Sequence, residues 1–323
     1  MTTLPGTSTG QQSTGTPTVL TAGTVNNFMV WAGLGPNTNW INFATAATGS
    51  YVFPQGPYKS YSSNYGPAFV PMADGTQGYV IWADMTTSQI MFAVASSNAS
   101  GVWSLASTAT TITGSKAGGG PTAALGIQNG QLVINIIWQD SGLGSMALSQ
   151  FDIFNPQATI PFTALGQSCV DAPALMTVGN DSYLAYFDTS NHFNLAVDPK
   201  GGVNFNFTGR FTSTSVTSSY APALVSLVGG TLGYVFWSNS SGVNYAQIGL
   251  AATTGVQFNT TAGCSGIIAG TNPTAGPSAQ LVQTEVSGVL TSQFVVAWPD
   301  TAGTISKTVY TTTVAPNYTP IPA

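Results

Sequence analysis

Charge is what this chain lacks most. Of its 323 residues only 5% are Asp, Glu, Lys or Arg, against about 25% in an ordinary soluble domain. Arg210 is the only arginine, and Lys59, Lys116, Lys200 and Lys307 are the only lysines. No basic stripe exists to neutralise phosphates, so nucleic acid is excluded as a main partner. Long apolar runs are missing too. No stretch approaches the length of a membrane span, so no membrane insertion is expected, and Met1 to Thr16 has neither the charged nor the apolar region of a signal peptide. Cysteine is scarce: Cys169 and Cys264 stand far apart with no CxxC pair and no histidine companion. They form either one disulfide or two free thiols, and zinc and redox motifs are unsupported. No metal site and no cofactor is expected.

What remains is ample for folding. With 43% apolar and 11% aromatic residues the chain can bury a core and does not read as disordered. Its length is consistent with a single all-β domain. The surface must be built from Thr, Ser, Asn, Gln and Gly. That composition resembles exported proteins, and six Asn-x-Ser/Thr sequons occur, at Asn98, Asn180, Asn206, Asn239, Asn259 and Asn317. Both fit an extracellular location or the surface of a cell or virion, although Asn, Ser and Thr are abundant enough here to make sequons by chance.

The chain is organised by repetition. Pro17, Pro67, Pro121, Pro173, Pro222 and Pro277 each open a similar stretch, and they lie 49 to 55 residues apart. A period near fifty marks repeats of one supersecondary unit, with room for four strands. Proline suits the start of a strand, where its missing N–H does no harm. Each unit carries one aromatic at a matching place: Trp31, Trp82, Trp138, Phe187, Trp237 and Trp298. A short polar turn follows, such as Asp84 to Ser88 or Asp140-Ser141-Gly142, with the chemistry of hairpins. The strands that end in these aromatics, such as Tyr79-Val80-Ile81-Trp82 and Tyr234-Val235-Phe236-Trp237, do not alternate apolar with polar. Such runs belong to strands covered on both faces.

A sandwich leaves one face of each sheet to water, whereas a propeller blade is enclosed by its neighbours. The reading is therefore all-β: a six-bladed β-propeller of four-stranded antiparallel meanders over residues 17–313, ahead of a Pro-rich tail at 314–323. A β-solenoid, with shorter rungs, is the alternative. Val203 to Thr208 and Val256 to Thr260, more polar, are placed as fourth strands. The last repeat has no obvious fourth strand, since Val314 to Ala323 holds three prolines. The arm at 1–16 is expected to supply it, either in its own chain or donated to a neighbour to make a homo-oligomer.

The Pro-Ala-Leu openings, the Trp-ended second strands and the stretch Ser97-Asn98-Ala99-Ser100-Gly101-Val102-Trp103 resemble the lectin-like and sialidase-like propellers. That stretch is similar to the sialidase Asp-box, with Ala99 where the family has Asp. The resemblance implies a propeller and, among its functions, sugar binding. It does not extend to sialidase chemistry, which uses three arginines. Fucose-type propeller lectins pair Arg and Glu with Trp, a set this chain cannot supply, so that specificity is not implied.

Catalysis finds little support. Propeller glycosidases need a carboxylate pair, and Glu285 is the single Glu. His192, the single His, lies in a polar turn near Asp188 with no nucleophile elbow around any Ser. The residues that could hold a neutral sugar are Asp84, Asp140, Asp188, Asn239 and Asp300, which close the second strands, with Tyr65, Asp171 and Tyr220, each two residues before its Pro. All would share one face, offering acceptors beside aromatic rings. Turn capping is the competing role of the Asp and Asn residues. Trp40, closing the first repeat's long turn on that face, is the aromatic most expected to be exposed; Trp103 is placed in the core. The expected function is non-catalytic glycan binding through repeated shallow sites, against the alternative of a structural, self-assembling extracellular, filament or virion protein.

Overall fold

A computed structural model describes residues 2–3, 7–22, 26–34, 39–47, 57–72, 75–98, 103–154, 161–199, 204–227, 230, 232–250, 257–259, 265–268, 271–286 and 289–312. Among them there is no helix; the strands make six antiparallel sheets. Ahead of the first blade lie β1 (Thr2–Thr3) and β2 (Thr7–Gln12). Blade 1 holds β3 (Thr18–Ala22), β4 (Asn26–Ala32), β5 (Trp40–Ala47) and β6 (Pro57–Ser62). Blade 2 holds β7 (Ala68–Pro71), β8 (Gln77–Ala83) and β9 (Ile90–Ser97), with an outer edge in two pieces, β10 (Trp103–Leu105) and β11 (Thr110–Thr111). Blade 3 holds β12 (Thr122–Gln128), β13 (Gln131–Asp140), β14 (Ser145–Asp152) and β15 (Phe162–Ala164).

Blade 4 is built from β16 (Ala174–Val178), β17 (Asp181–Phe187), β18 (His192–Asp198) and β19 (Phe211–Thr217). Blade 5 has β20 (Ala223–Ser226), β21 (Leu232–Asn239) and β22 (Gly242–Gly249), again with a divided edge, β23 (Gln257–Asn259) and β24 (Ser265–Ile267). Blade 6 has β25 (Ser278–Val286), β26 (Val289–Pro299) and β27 (Thr304–Thr312). Each blade's first strand begins one residue after its marker proline. These first strands lie side by side in the order β3, β7, β12, β16, β20, β25 and back to β3. The molecule is a six-bladed β-propeller.

The second strands are buried on both faces, as their continuous apolar runs require. All six ladder aromatics are buried, the least so Trp237 at 8% exposure. The core falls into six clusters, each sandwiched between consecutive blades. Between blades 1 and 2, for example, Trp103 packs edge-on against Phe28 at 4.8 Å and stacks with Phe43 at 5.4 Å. Between blades 6 and 1, Trp31 and Val19 meet Ala297 and Ile305. Hydroxyls just inside the first strands tie blades together: Thr122 Oγ1 accepts from Leu175 N at 3.1 Å, and Ser278 Oγ accepts from Val19 N at 2.9 Å.

Two features of the outer edge differ from the sequence reading or complete it. Asn204 to Thr208 is not the fourth strand of blade 4; that place belongs to β19. The alternation of Phe205 and Phe207 reads as a strand because both rings turn toward the core, where Phe207 meets Tyr186 at 6.4 Å. The segment's backbone, however, is bent into side-chain-capped turns: Asn204 N donates to Asp198 Oδ2 and Gly209 N to Asn206 Oδ1. In blade 6 the outer edge comes from the other end of the chain, since β1 and β2 both pair antiparallel with β27. Thr9 Oγ1 adds a bond to Ile305 O at 2.8 Å. The arm thus pairs within its own chain.

Candidate functional site

One face of the ring carries both sets of residues that the sequence singles out. The segment leading into each first strand runs past the turn after its blade's second strand, as bridges between Ser63 and Asp84, Ala117 and Asp140, and Pro273 and Asp300 show. Four lead-ins share a device at the fourth residue before proline. Ser13 and Ser63 donate Oγ–H to the carbonyls of Gly15 and Tyr65, and Ser218 Oγ accepts from Tyr220 N at 2.9 Å while donating to Ser238 O at 2.6 Å. Cys169 takes the same place in blade 4, its thiol on Asp171 O and its N–H on Gln139 Oε1 at 2.9 Å. The thiol is free and buried, and burial pushes its pKa far above the ordinary value. That answers the disulfide question for Cys169; Cys264 lies outside the described residues. Sequence reading missed this set, although the spacing to proline is a signal that could have found it.

Where the lead-ins converge on the axis, the residues before the prolines are small because backbone passes backbone there. A Cβ on Gly66 would stand 1.9 Å from Thr16 O, and one on Gly276 would stand 2.4 Å from Ala221 O. A cavity of about 460 Å³ remains, lined from all six blades, and Tyr65, Asp171 and Tyr220 all face it. Asp171 Oδ2 accepts from Ala221 N at 3.1 Å across the blade seam. Burial raises the Asp171 pKa, and the N–H groups of Ala172 and Ala221 offset part of that rise.

The acids closing the second strands are occupied by their own turns. Asp84 Oδ1 accepts from Thr86 N, Thr87 N and Thr87 Oγ1. Asp300 Oδ1 accepts from Ala302 N and Thr304 N, and Asn239 Oδ1 from Ser241 N. Asp188 Oδ1 accepts from Ser190 N and from the backbone N of His192, while its Oδ2 accepts from Asn194. Partial burial pushes the Asp188 carboxyl up, but these bonds and the nearby imidazole outweigh it and leave the pKa lowered. Asp140 is only 1% exposed: Oδ1 takes Gly142 N and Leu143 N, and Oδ2 takes Lys116 N and Trp138 Nε1. None of the four Asp residues is among the described lining of the axial cavity or of the groove below. Trp40 is half-buried at the start of β5, and Glu285 has no described side chain.

A second concavity, a groove of about 570 Å³, lies on the same face across blades 4, 5 and 6. Its walls are Ser190, Asn191, Thr217, Ser218, Ser219, Tyr220, Asn239, Ser240 and Pro273, with no charged residue. Asn191 holds its place through a positive φ of 63° and a bond from its N–H to Asp188 O at 2.7 Å. Tyr220 lines both the groove and the axial cavity. Of the sequence candidates, Tyr220 and Asn239 come together here, joined by hydroxyls and amides whose composition gave no mark. Among the described residues no group of three His, Cys, Asp or Glu could hold a metal ion, and no helix is long and apolar enough to cross a membrane.

No protein-family model matches this chain, and no curated protein sequence does. Solved structures do. AofleA from Arthrobotrys oligospora superposes with a TM-score of 0.64 at 10% identity, covering 96% of this chain and 87% of that one. A fungal lectin, the Aleuria aurantia lectin, described as a six-bladed β-propeller with a novel fucose recognition mode, gives 0.59 at 15% identity over 95% and 98% of the two chains. A Trypanosoma rangeli sialidase mutant displaying trans-sialidase activity gives 0.56 at 13% identity, over 91% of this chain but 53% of its own, so this chain spans about half of that one. At such identities the likeness establishes the shared fold.

Proposed function

We propose that the protein is a non-catalytic, carbohydrate-binding propeller that recognises glycans on a surface outside the cell. The observation that carries this reading is the groove at blades 4 to 6: an uncharged concavity of hydroxyls and amides beside one aromatic side chain. A neutral sugar presents many hydroxyls and a weakly apolar ring face, and such a wall matches both. The commitment of Asp84, Asp140, Asp188 and Asp300 to turn caps supports a binding rather than a hydrolytic role, since an acid–base pair needs free carboxyls. The Aleuria aurantia lectin among the structural neighbours makes sugar binding a known use of this fold.

A glycan array followed by calorimetry tests the reading. Asn191→Gly keeps the left-handed backbone and removes the amide, and Ser240→Ala removes a hydroxyl. Each is expected to weaken the best glycan about tenfold, roughly the worth of one or two hydrogen bonds, with an unchanged melting temperature. Absence of any glycan binding at about 1 mM would overturn the reading. A structural, self-assembling role has its own observation. On the opposite face, Phe154 is 82% exposed beside Ile127 at 49% and Leu132 at 41%. Light scattering that shows growth abolished by Phe154→Ser, without sugar, is the result expected from that second reading.

A further inference from the structure

The axial cavity differs in chemistry from the groove. Among the described residues its lining contains no Lys, Arg or His, and Asp171 is the one acid. Two neutral N–H groups, from Ala172 and Ala221, are the partners that hold the Asp171 carboxylate. Proline, alanine and glycine make most of the surrounding wall, which also includes Tyr65 and Tyr220. Blade 3 contributes Gly120 to this lining. A Cβ on Gly120 would lie 3.0 Å from Gly66 O, so backbone passes close there too.

We infer that this cavity is a binding site for a small organic cation, an alkylated ammonium ion held by Asp171 with Tyr65 and Tyr220 in the same lining. No Lys, Arg or His stands in the described lining beside the Asp171 carboxylate, and a bound monocation would balance its charge. The electron-rich faces of aromatic rings attract alkylammonium groups. Small apolar walls accept the alkyl substituents, which a metal ion would not use. A divalent metal would need several oxygen or nitrogen ligands, and one carboxylate does not supply them. The site is distinct from the groove, so it does not depend on sugar binding, and Tyr220 alone is shared.

The experiment is calorimetry of the full chain at neutral pH with choline and with its uncharged carbon isostere, 3,3-dimethyl-1-butanol. Choline is expected to bind about tenfold or more tightly than the isostere. Asp171→Asn, which keeps an acceptor for the Ala221 N–H, is expected to lose that preference while retaining any glycan affinity. A second measurement needs no variant. In the wild type, choline affinity should fall as acid protonates Asp171, the acid of the described lining. Equal binding of choline and isostere, no choline binding, or affinity independent of both Asp171 and pH would each overturn the inference.

Discussion

Asp84 and Asp140 occupy the same place in neighbouring blades, yet their side chains do different work. Asp84 uses one oxygen, for its own turn. Asp140 uses both, and its second oxygen receives two N–H groups, from Lys116 and from the indole of Trp138. An amide can replace the first but not the second, since an NH2 group would face two donors. Asp84→Asn is therefore expected to change stability by no more than about 0.5 kcal/mol, in line with the natural Asn239. Asp140→Asn should cost about 1–3 kcal/mol, a fall in melting temperature of roughly 2–10 °C. Thermal unfolding of the two variants checks this contrast; equal losses would refute it. The turn position was readable from sequence because Asp at a hairpin start is local chemistry. The burial of one copy was not, because it depends on the lead-in segment beside it.

At the scale of strands, what could be read was whatever buries on both sides. The second strands announce themselves as apolar runs because two blades cover them, and the prolines mark each first strand because the residues around them crowd the axis. The outer strands are half-wetted, so composition does not mark them: β19 is a run of Thr and Ser, and β10 with β11 and β23 with β24 are fragments. The groove was illegible for a similar reason, since Ser190, Asn191 and Ser240 are ordinary turn residues until blades 4 and 5 bring them together. The arm was legible only by counting strands. With β2 paired along β27, and Ser13 N bonded to Gly303 O at 2.8 Å, deletion of residues 2 to 12 leaves a row of backbone groups unpaired. Each net bond is worth about 0.5–1.5 kcal/mol, so the melting temperature should drop by several degrees, roughly 2–4 °C per kcal/mol lost. A peptide of residues 1 to 14 added in trans should recover part of the loss. No change on deletion would remove the arm from ring closure.

For the whole molecule, scarcity of charge sets the response to pH. Asp188, lowered, adds stability that is present above its unfolded pKa and is lost as pH falls through the folded value. Asp171, raised, does the reverse: its contribution is full in acid and is lost as pH rises through its folded value. The two oppose each other, so stability should be nearly flat from about pH 3 to pH 7. Burial pushes Tyr183 and Tyr186 to about 12 from 10.0. Stability from these phenols is full below pH 10 and is lost as pH climbs toward 12. Melting temperatures across this range check both limbs, and a steep acid limb would contradict the first. The in-chain pairing of arm and last blade also orders events during synthesis. Thr9 and the residue it bonds, Ile305, are 296 positions apart, a wait of about 15–60 s at ordinary translation rates. A greasy strand left unpaired that long would invite aggregation, whereas Thr, Ser, Gly and Gln remain comfortable in water. The plainness of the arm is what lets a strand made so long before its partner wait for it.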